Sequence, residues 1–162
     1  MKGFMAAAVC AALAAPAAAA DLTVGARFDP SIDPHYLYLS TNMAYAQHMF
    51  EPLVARDVNS QPIPGLAESW RLIDDRTWEF KLRRGVTFHD GQEFTAEDVL
   101  FSVRRIPAIP NNPSSYNGAL RSIVATEAPD PHTVIFRTDQ PNPILPSQFT
   151  IMAIVSSKAA AG

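Results

Sequence analysis

The chain has one cysteine, Cys10, and it sits inside an alanine-rich opening segment. Met1 to Ala20 has a single early cation, Lys2, an apolar run through Val9 and Leu13, and a small-residue end, Ala18-Ala19-Ala20, before Asp21. This is the layout of a secretory signal peptide, residues 1–20, cut after Ala20. The run is short and alanine-rich compared with the about 20 strongly apolar residues of a membrane span. Cys10 lacks the small-residue spacing of a lipoprotein site. With the segment removed no cysteine is left, which excludes disulfide and thiolate chemistry. Basic residues are also scarce. There are 13 Lys and Arg against 16 Asp and Glu, and without Lys2 the balance is 12 − 16 = −4. No basic stripe runs along the chain, which excludes nucleic acid as a partner. No internal repeat is present, and the alanines at the two ends are the only low-complexity stretches. A chain of about 140 residues buries roughly two-thirds of its unfolded surface, enough for a domain.

The informative stretch runs from Pro64 to Arg105 and holds both tryptophans. Thr77 to Leu82 alternates, with Trp78, Phe80 and Leu82 on one face and Thr77, Glu79 and Lys81 on the other, which predicts a half-buried strand. Ser69 to Leu72 is its expected hairpin partner, joined through the polar linker Ile73-Asp74-Asp75-Arg76. Asp90-Gly91 predicts a second reversal, since glycine accepts the positive φ of such turns. Thr95 stands where an N-cap belongs, and Asp98 three residues on suits the positive end of a helix dipole. Val99, Leu100, Val103 and Ile106 form an apolar stripe at helical spacing. Arg104 and Arg105 fall in the last turn, where cations are favoured, and Pro107 is expected to stop the helix.

This stretch resembles the signature region of the family 5 solute-binding proteins of ABC importers, the dipeptide, oligopeptide and nickel-binding class. The residues that carry the resemblance are Ala67-Glu68-Ser69-Trp70, Asp74-Asp75, Thr77-Trp78-Glu79-Phe80, Leu82-Arg83, Gly85-Val86, Phe88-His89-Asp90-Gly91, Phe94-Thr95-Ala96-Glu97-Asp98-Val99 and Phe101-Ser102. It implies an α/β, periplasmic-binding-protein-like fold of type II, of which this chain is the N-terminal part. In that two-lobed fold, residues 21–44 open the large lobe, residues 45–140 are an inserted small α+β domain, and residues 141–162 return to the large lobe. Family members are several times longer, so an N-terminal fragment is expected. The implied function is capture of a peptide-like solute in an interlobe cleft and delivery to the permease of an ABC importer, as a periplasmic monomer without cofactor.

Along the rest of the chain, Asp21 to Phe28 alternates and predicts a first strand. Pro30 and Pro34 then impose an extended, non-helical path. Ser40 or Thr41 is expected to cap a helix to about Phe50, with Met43, Ala46, Met49 and Phe50 inward. Leu53 to Arg56 predicts a short strand, and the prolines of Val58 to Leu66 a surface connection. Pro107 to Asn117 reads as a long loop of the kind that carries function. Ser122 to Thr126 and Thr133 to Thr138 predict a hairpin through Pro129-Asp130-Pro131-His132. Asn142-Pro143 opens a short helix to Phe149, and Ile151 to Val155 reads as a final strand.

His89-Asp90 with Glu93 and Glu97 is the one acid–base group available to a secreted enzyme. Adjacent strand residues point apart, Asp90-Gly91 is explained by the turn, and Ser69 lacks a G-x-S-x-G elbow, so no catalytic residue is assigned. His35, Met43 and His48 match no compact metal-ligand spacing. A surface His35 and a packed Met43 suffice, and no metal site is assigned. Met43 does match, by resemblance, the position where nickel-chelate-binding relatives present a methionine, which gives the alternative function.

The ligand-binding candidates are Tyr38, Ser40, Met43, Ser115 and Tyr116. Matching through Asp33-Pro34-His35 puts Tyr38 and Ser40 where the relatives pair main chain with an extended peptide, as an added strand. Tyr38 is uncharged where an oligopeptide-binding relative carries an acidic residue, which argues against recognition of a ligand α-amino group from this side. The loop Asn112 to Tyr116 resembles the segment that bends toward the cleft. There Ser115 and Tyr116 offer hydroxyls and an aromatic face, and cover for the small domain's sheet is an equally available role for Tyr116. Trp78, by its alternation with Phe80, is expected in the core.

Overall fold

A computed structural model describes Thr23, Gly25 and residues 31–160. The expected signal peptide and first strand lie outside the described residues. The chain order is α1 (Ser40–Ala46), β1 (Val54–Arg56), β2 (Pro62–Pro64), β3 (Ala67–Asp74), β4 (Thr77–Leu82), α2 (Ala96–Ala108), α3 (Asn117–Leu120), β5 (Ile123–Asp130), β6 (Thr133–Thr138) and α4 (Leu145–Gln148).

β4 has the predicted bounds and lies inside an antiparallel sheet of order β3-β4-β6-β5. Its register puts Trp78 opposite Leu72 and Phe136, and Phe80 opposite Trp70 and Val134. The alternating face is therefore apolar across three strands. Phe80, Val134 and Phe136 are fully buried there, and Phe149 from beyond α4 stands edge-on to Phe80 at 5.4 Å. The opposite face is polar: Arg71 and Lys81 both bridge Glu79, and Lys81 Nζ donates to Thr133 Oγ1 at 3.0 Å. Trp78 is half-buried against the core, and its indole N–H donates to the Asn142 carbonyl at 3.0 Å, which fastens the chain after β6 to the sheet.

α2 packs against β5 and β6 through Val99, Leu100 and Ile106, all buried. Asp98 completes the N-terminal cap, accepting from the Thr95 amide at 2.8 Å. Its other oxygen accepts from Ser157 N at 2.8 Å, and Ser102 Oγ accepts from Val155 N at 3.0 Å. One helix face thus holds the segment that follows α4. Pro107 lies inside the last turn and the helix ends one residue later than predicted, because a proline at that point removes a single N–H without preventing closure of the turn.

Several expectations are corrected. Residues 62–64 pair with β1 instead of forming a plain connection, Ala55 opposite Ile63; a two-stranded ribbon tolerates prolines whose missing N–H would face solvent. Gly65 follows directly, and a Cβ there would stand 2.9 Å from Pro52 O. Neither Ser40 nor Thr41 caps α1: the N-cap is Leu39, without a side-chain cap. α1 stops at Ala46, so Met49 is 38% exposed rather than inward. Ile151 to Val155 makes only one bridge, Ala153 to Pro52, although Met152 and Ile154 are buried; burial alone does not make a strand without a neighbour. The expected extended path through Pro34 is a turn, Tyr36 N donating to Asp33 O at 3.3 Å, with Asp33 and Pro34 in the positions that initiate turns. Among the described residues no helix is long and apolar enough to cross a membrane.

Phe80 is the most central side chain of this core. Phe80→Ala is expected to cost about 3–5 kcal/mol in urea denaturation, and a loss below about 1 kcal/mol would show that the aromatic cluster does not carry the fold.

Candidate functional site

Asp33 opens the site. Its carboxylate accepts from His35 N at 2.9 Å, closing the turn that lifts the chain into Leu37 and Tyr38. Leu37 then bridges Ser114 in parallel, Tyr38 N donating to Ser114 O at 2.7 Å and Ser114 Oγ donating to Tyr38 O at 3.1 Å. Asn112 supplies a second tie, its Nδ2 donating to His35 O at 3.0 Å. The asparagine-rich loop and the proline-punctuated segment thus run alongside each other, held by short side chains suited to main-chain hydrogen bonds.

Behind this pairing lies a charged cluster. The Arg105 guanidinium spans both Asp33 oxygens, at 2.9 and 2.6 Å, and approaches His35 Nδ1 at 3.3 Å. His35 is fully buried, its Nε2 2.7 Å from Ala153 O. Burial alone would raise the Asp33 carboxyl, but Arg105 and the His35 N–H outweigh it and hold the group below its usual value. Burial pushes the His35 imidazole down; the Ala153 carbonyl opposes this and Arg105 adds to it. Asn42, also buried, accepts from Ser31 N at 2.8 Å and donates to Leu37 O at 3.2 Å.

The predicted site residues separate into two kinds. Tyr38 is 41% exposed and stacks at a tilt on Tyr116, ring centroids 4.8 Å apart, whereas Tyr116 is 3% exposed and belongs to the core. Met43 is half-buried and lines a shallow cleft with Tyr116, Phe50 and Ala153. Ser115 is half-buried, its Oγ accepting from Asn117 N at 3.2 Å, and Ser40 is exposed at the first position of α1. None of the five lines a concavity of about 830 Å³, which has Asp33, Arg105, His48, Phe88, His89 and Ile154 on its walls.

The expectation of a surface His35 is corrected: both ring nitrogens face partners, which leaves neither for a metal. Among the described residues no group of three or more acidic, histidine or cysteine side chains is arranged to hold a metal ion. His89 and Asp90 are exposed at a turn whose Gly91 has φ of +82°, and Glu97 is paired with Arg104. They do not converge on one point. Asp33, Asn42, Arg105 and Asn112 were not singled out as site residues from sequence. Arg105 reads locally as a helix-end cation and Asn112 as part of an asparagine-rich loop, and neither signal shows that Asp33 and His35 pack against them.

Residues 61–161 match the family model described as bacterial extracellular solute-binding proteins, family 5 Middle. The chain belongs to that family. It is similar to the periplasmic oligopeptide-binding protein OppA of Salmonella typhimurium, 36% identical over 91 residues, covering 56% of this chain and 17% of that protein. Among solved structures it resembles OppA of Burkholderia pseudomallei, with a TM-score of 0.74 and 26% identity over 81% of this chain and 29% of the other. It also resembles NikZ of Campylobacter jejuni in complex with Ni(L-His), with a TM-score of 0.62 and 29% identity over 70% of this chain and 23% of the other. The chain thus spans about a fifth of the length of the curated relatives it matches, 20% and 17% for two of them. The described residues form part of the fold of type II periplasmic binding proteins, and the relatives named above are binding proteins.

Burial raises the Tyr116 phenol to about 12, with Tyr38 and Asp33 adding to the effect. A phenol whose value rises from 10 on folding adds stability below pH 10 that is lost as pH climbs through about 12. Absorbance titration at about 295 nm should show one of the four tyrosines ionising late, and Tyr116→Phe should remove that late phase. A late phase that survives this substitution would contradict the buried placement.

Proposed function

We propose that this chain forms part of the solute-binding component of an ABC importer, and that it offers the main chain around Tyr38 to a peptide-like solute in an interlobe cleft. The observation that carries this reading is the pairing of Tyr38 with Ser114. It fixes the segment, with both Tyr38 main-chain groups turned to the loop and Leu39 N closing a tight turn on Leu37 O at 2.9 Å, so that the Leu37 N–H is left on the side away from Ser114. Main-chain pairing of an added strand gives affinity with little dependence on ligand side chains. The exposed Tyr38 ring, backed by Tyr116, would supply an apolar contact beside it, with Ser40, Met43 and Ser115 at the margin. Similarity to oligopeptide-binding relatives supports the solute class.

In this reading residues 21–44 and 141–162 belong to the large lobe and residues 45–140 to the small domain, the protein is a periplasmic monomer exported by residues 1–20, and closure of two lobes delivers the solute to the permease. Such closure works by differential affinity for the open and closed states. A nickel chelate is the rival solute. The engagement of both His35 nitrogens tells against His35 as its ligand, leaving Met43.

One lobe's worth of contacts binds weakly, so the test reads location. Amide shifts of the isotope-labelled chain on addition of millimolar tri-alanine should be confined to residues 37–40 and 114–116. Shifts centred on the walls of the 830 Å³ concavity would overturn the assignment. Broadening by a nickel–histidine chelate around Met43, with no response to tri-alanine, would favour the rival.

A further inference from the structure

The segment that carries Tyr38 is fastened by a cluster that tolerates only one protonation state of His35. The Ala153 carbonyl, 2.7 Å from Nε2, can only accept, so Nε2 carries the hydrogen. The Arg105 guanidinium, 3.3 Å from Nδ1, can only donate, so Nδ1 presents its lone pair. A second proton on His35 has one place to go, Nδ1, where it would meet the N–H of a cation.

We propose that His35 is a proton-operated latch: protonation at Nδ1 displaces Arg105 and frees residues 31–40, so that the ligand-facing main chain loses its alignment with the 112–116 loop on acidification. This rests on the solute-binding reading for its purpose, although the latch itself is a property of the unliganded chain.

Among the described residues, each charged or titratable group facing His35 bears on the outcome. On its own segment stands Asp33, on α2 Arg105, and on the loop Tyr116, whose ring lies edge-on at 6.4 Å. Asn112 holds the His35 carbonyl, and the 150–154 segment contributes only the Ala153 carbonyl. Asp33 would attract an imidazolium, but its two oxygens are already taken by the guanidinium and the His35 main-chain N–H. Tyr116 stays neutral over the relevant range, its phenol raised to about 12. Charge repulsion from Arg105 and the cost of burying an unpaired cation therefore decide against the protonated ring.

The sign follows. The imidazole is held below its free value of 6.5 in the closed segment and regains that value once exposed. The latch is therefore closed above pH 6.5 and weakens as pH falls toward the lowered value, by at most about tenfold in the opening equilibrium per pH unit. Asp33 is lowered as well, so its contribution fades only further into acid, below 3.8.

Hydrogen exchange of the unliganded 162-residue chain tests this. Protection of residues 31–42 is measured relative to β4 and β6, which cancels the intrinsic pH dependence, at about pH 7.5 and about pH 5. The expected result is a relative loss of up to about thirtyfold, confined to residues 31–42 and 112–116. His35→Gln keeps a donor for Ala153 O and cannot titrate, so its profile should be flat. If that variant fails to fold, imidazole NMR of the wild-type chain decides: the opening midpoint must coincide with the titration of His35. Unchanged relative protection would overturn the latch, as would an opening midpoint that follows His48, His89 or His132. Because no solute is present, such a failure removes the latch alone, and the tri-alanine titration still judges the binding reading.

Discussion

Arg105 joins parts of the chain that have no other strong reason to stay together. It reaches across 72 positions to grip Asp33 with a two-pronged charged hydrogen bond, in the geometry that makes guanidinium–carboxylate pairs strong and directional. The turn Asp33 anchors sets the direction of Leu37 and Tyr38, and Ser114 and Asn112 can meet that segment only because it is already placed. His35 is enclosed in the same arrangement and links it to Ala153. Without the ion pair, the segment would be held by the His35–Ala153 contact and a few hydrogen bonds from Asn42, Asn112 and Ser114, which contribute only about 0.5–1.5 kcal/mol each.

The platform beneath is of a different kind. The four-stranded sheet stands on aromatic packing around Phe80, Phe136 and Phe149 and does not need the charged cluster. α2 connects the two. Its apolar stripe sits on the sheet, while its polar positions, Asp98, Ser102 and Arg105, bind segments that come from elsewhere in the chain. This division lets the Tyr38 segment loosen without unfolding of the core.

What the sequence disclosed follows the same division. β4 and the start of α2 were legible because their signals are local: alternation over six residues and a Thr95–Asp98 box three positions apart. β2 was not, since its prolines read as a connection until a partner ribbon was present. The end of α1 and the stretch from Ile151 depended on neighbours far away in the chain. At the site, the resemblance pointed to Tyr38 and Tyr116, which do meet, but the burial of Tyr116 turns on packing that no short motif records. Arg105 had a sufficient local explanation as a helix-end cation, and nothing local distinguishes that role from a pair with Asp33. His35 was misplaced on the surface for the same reason, because what buries it arrives from Arg105, Asn112 and Ala153.

The coupling between Asp33 and Arg105 is the most direct measure of this account. In a double-mutant cycle with Asp33→Asn and Arg105→Met, followed by urea denaturation at about pH 7.5, the two losses should fall short of additivity by about 1–3 kcal/mol. Additivity within about 0.3 kcal/mol would mean that the pair contributes nothing jointly, and that the Tyr38 segment is held by some other means.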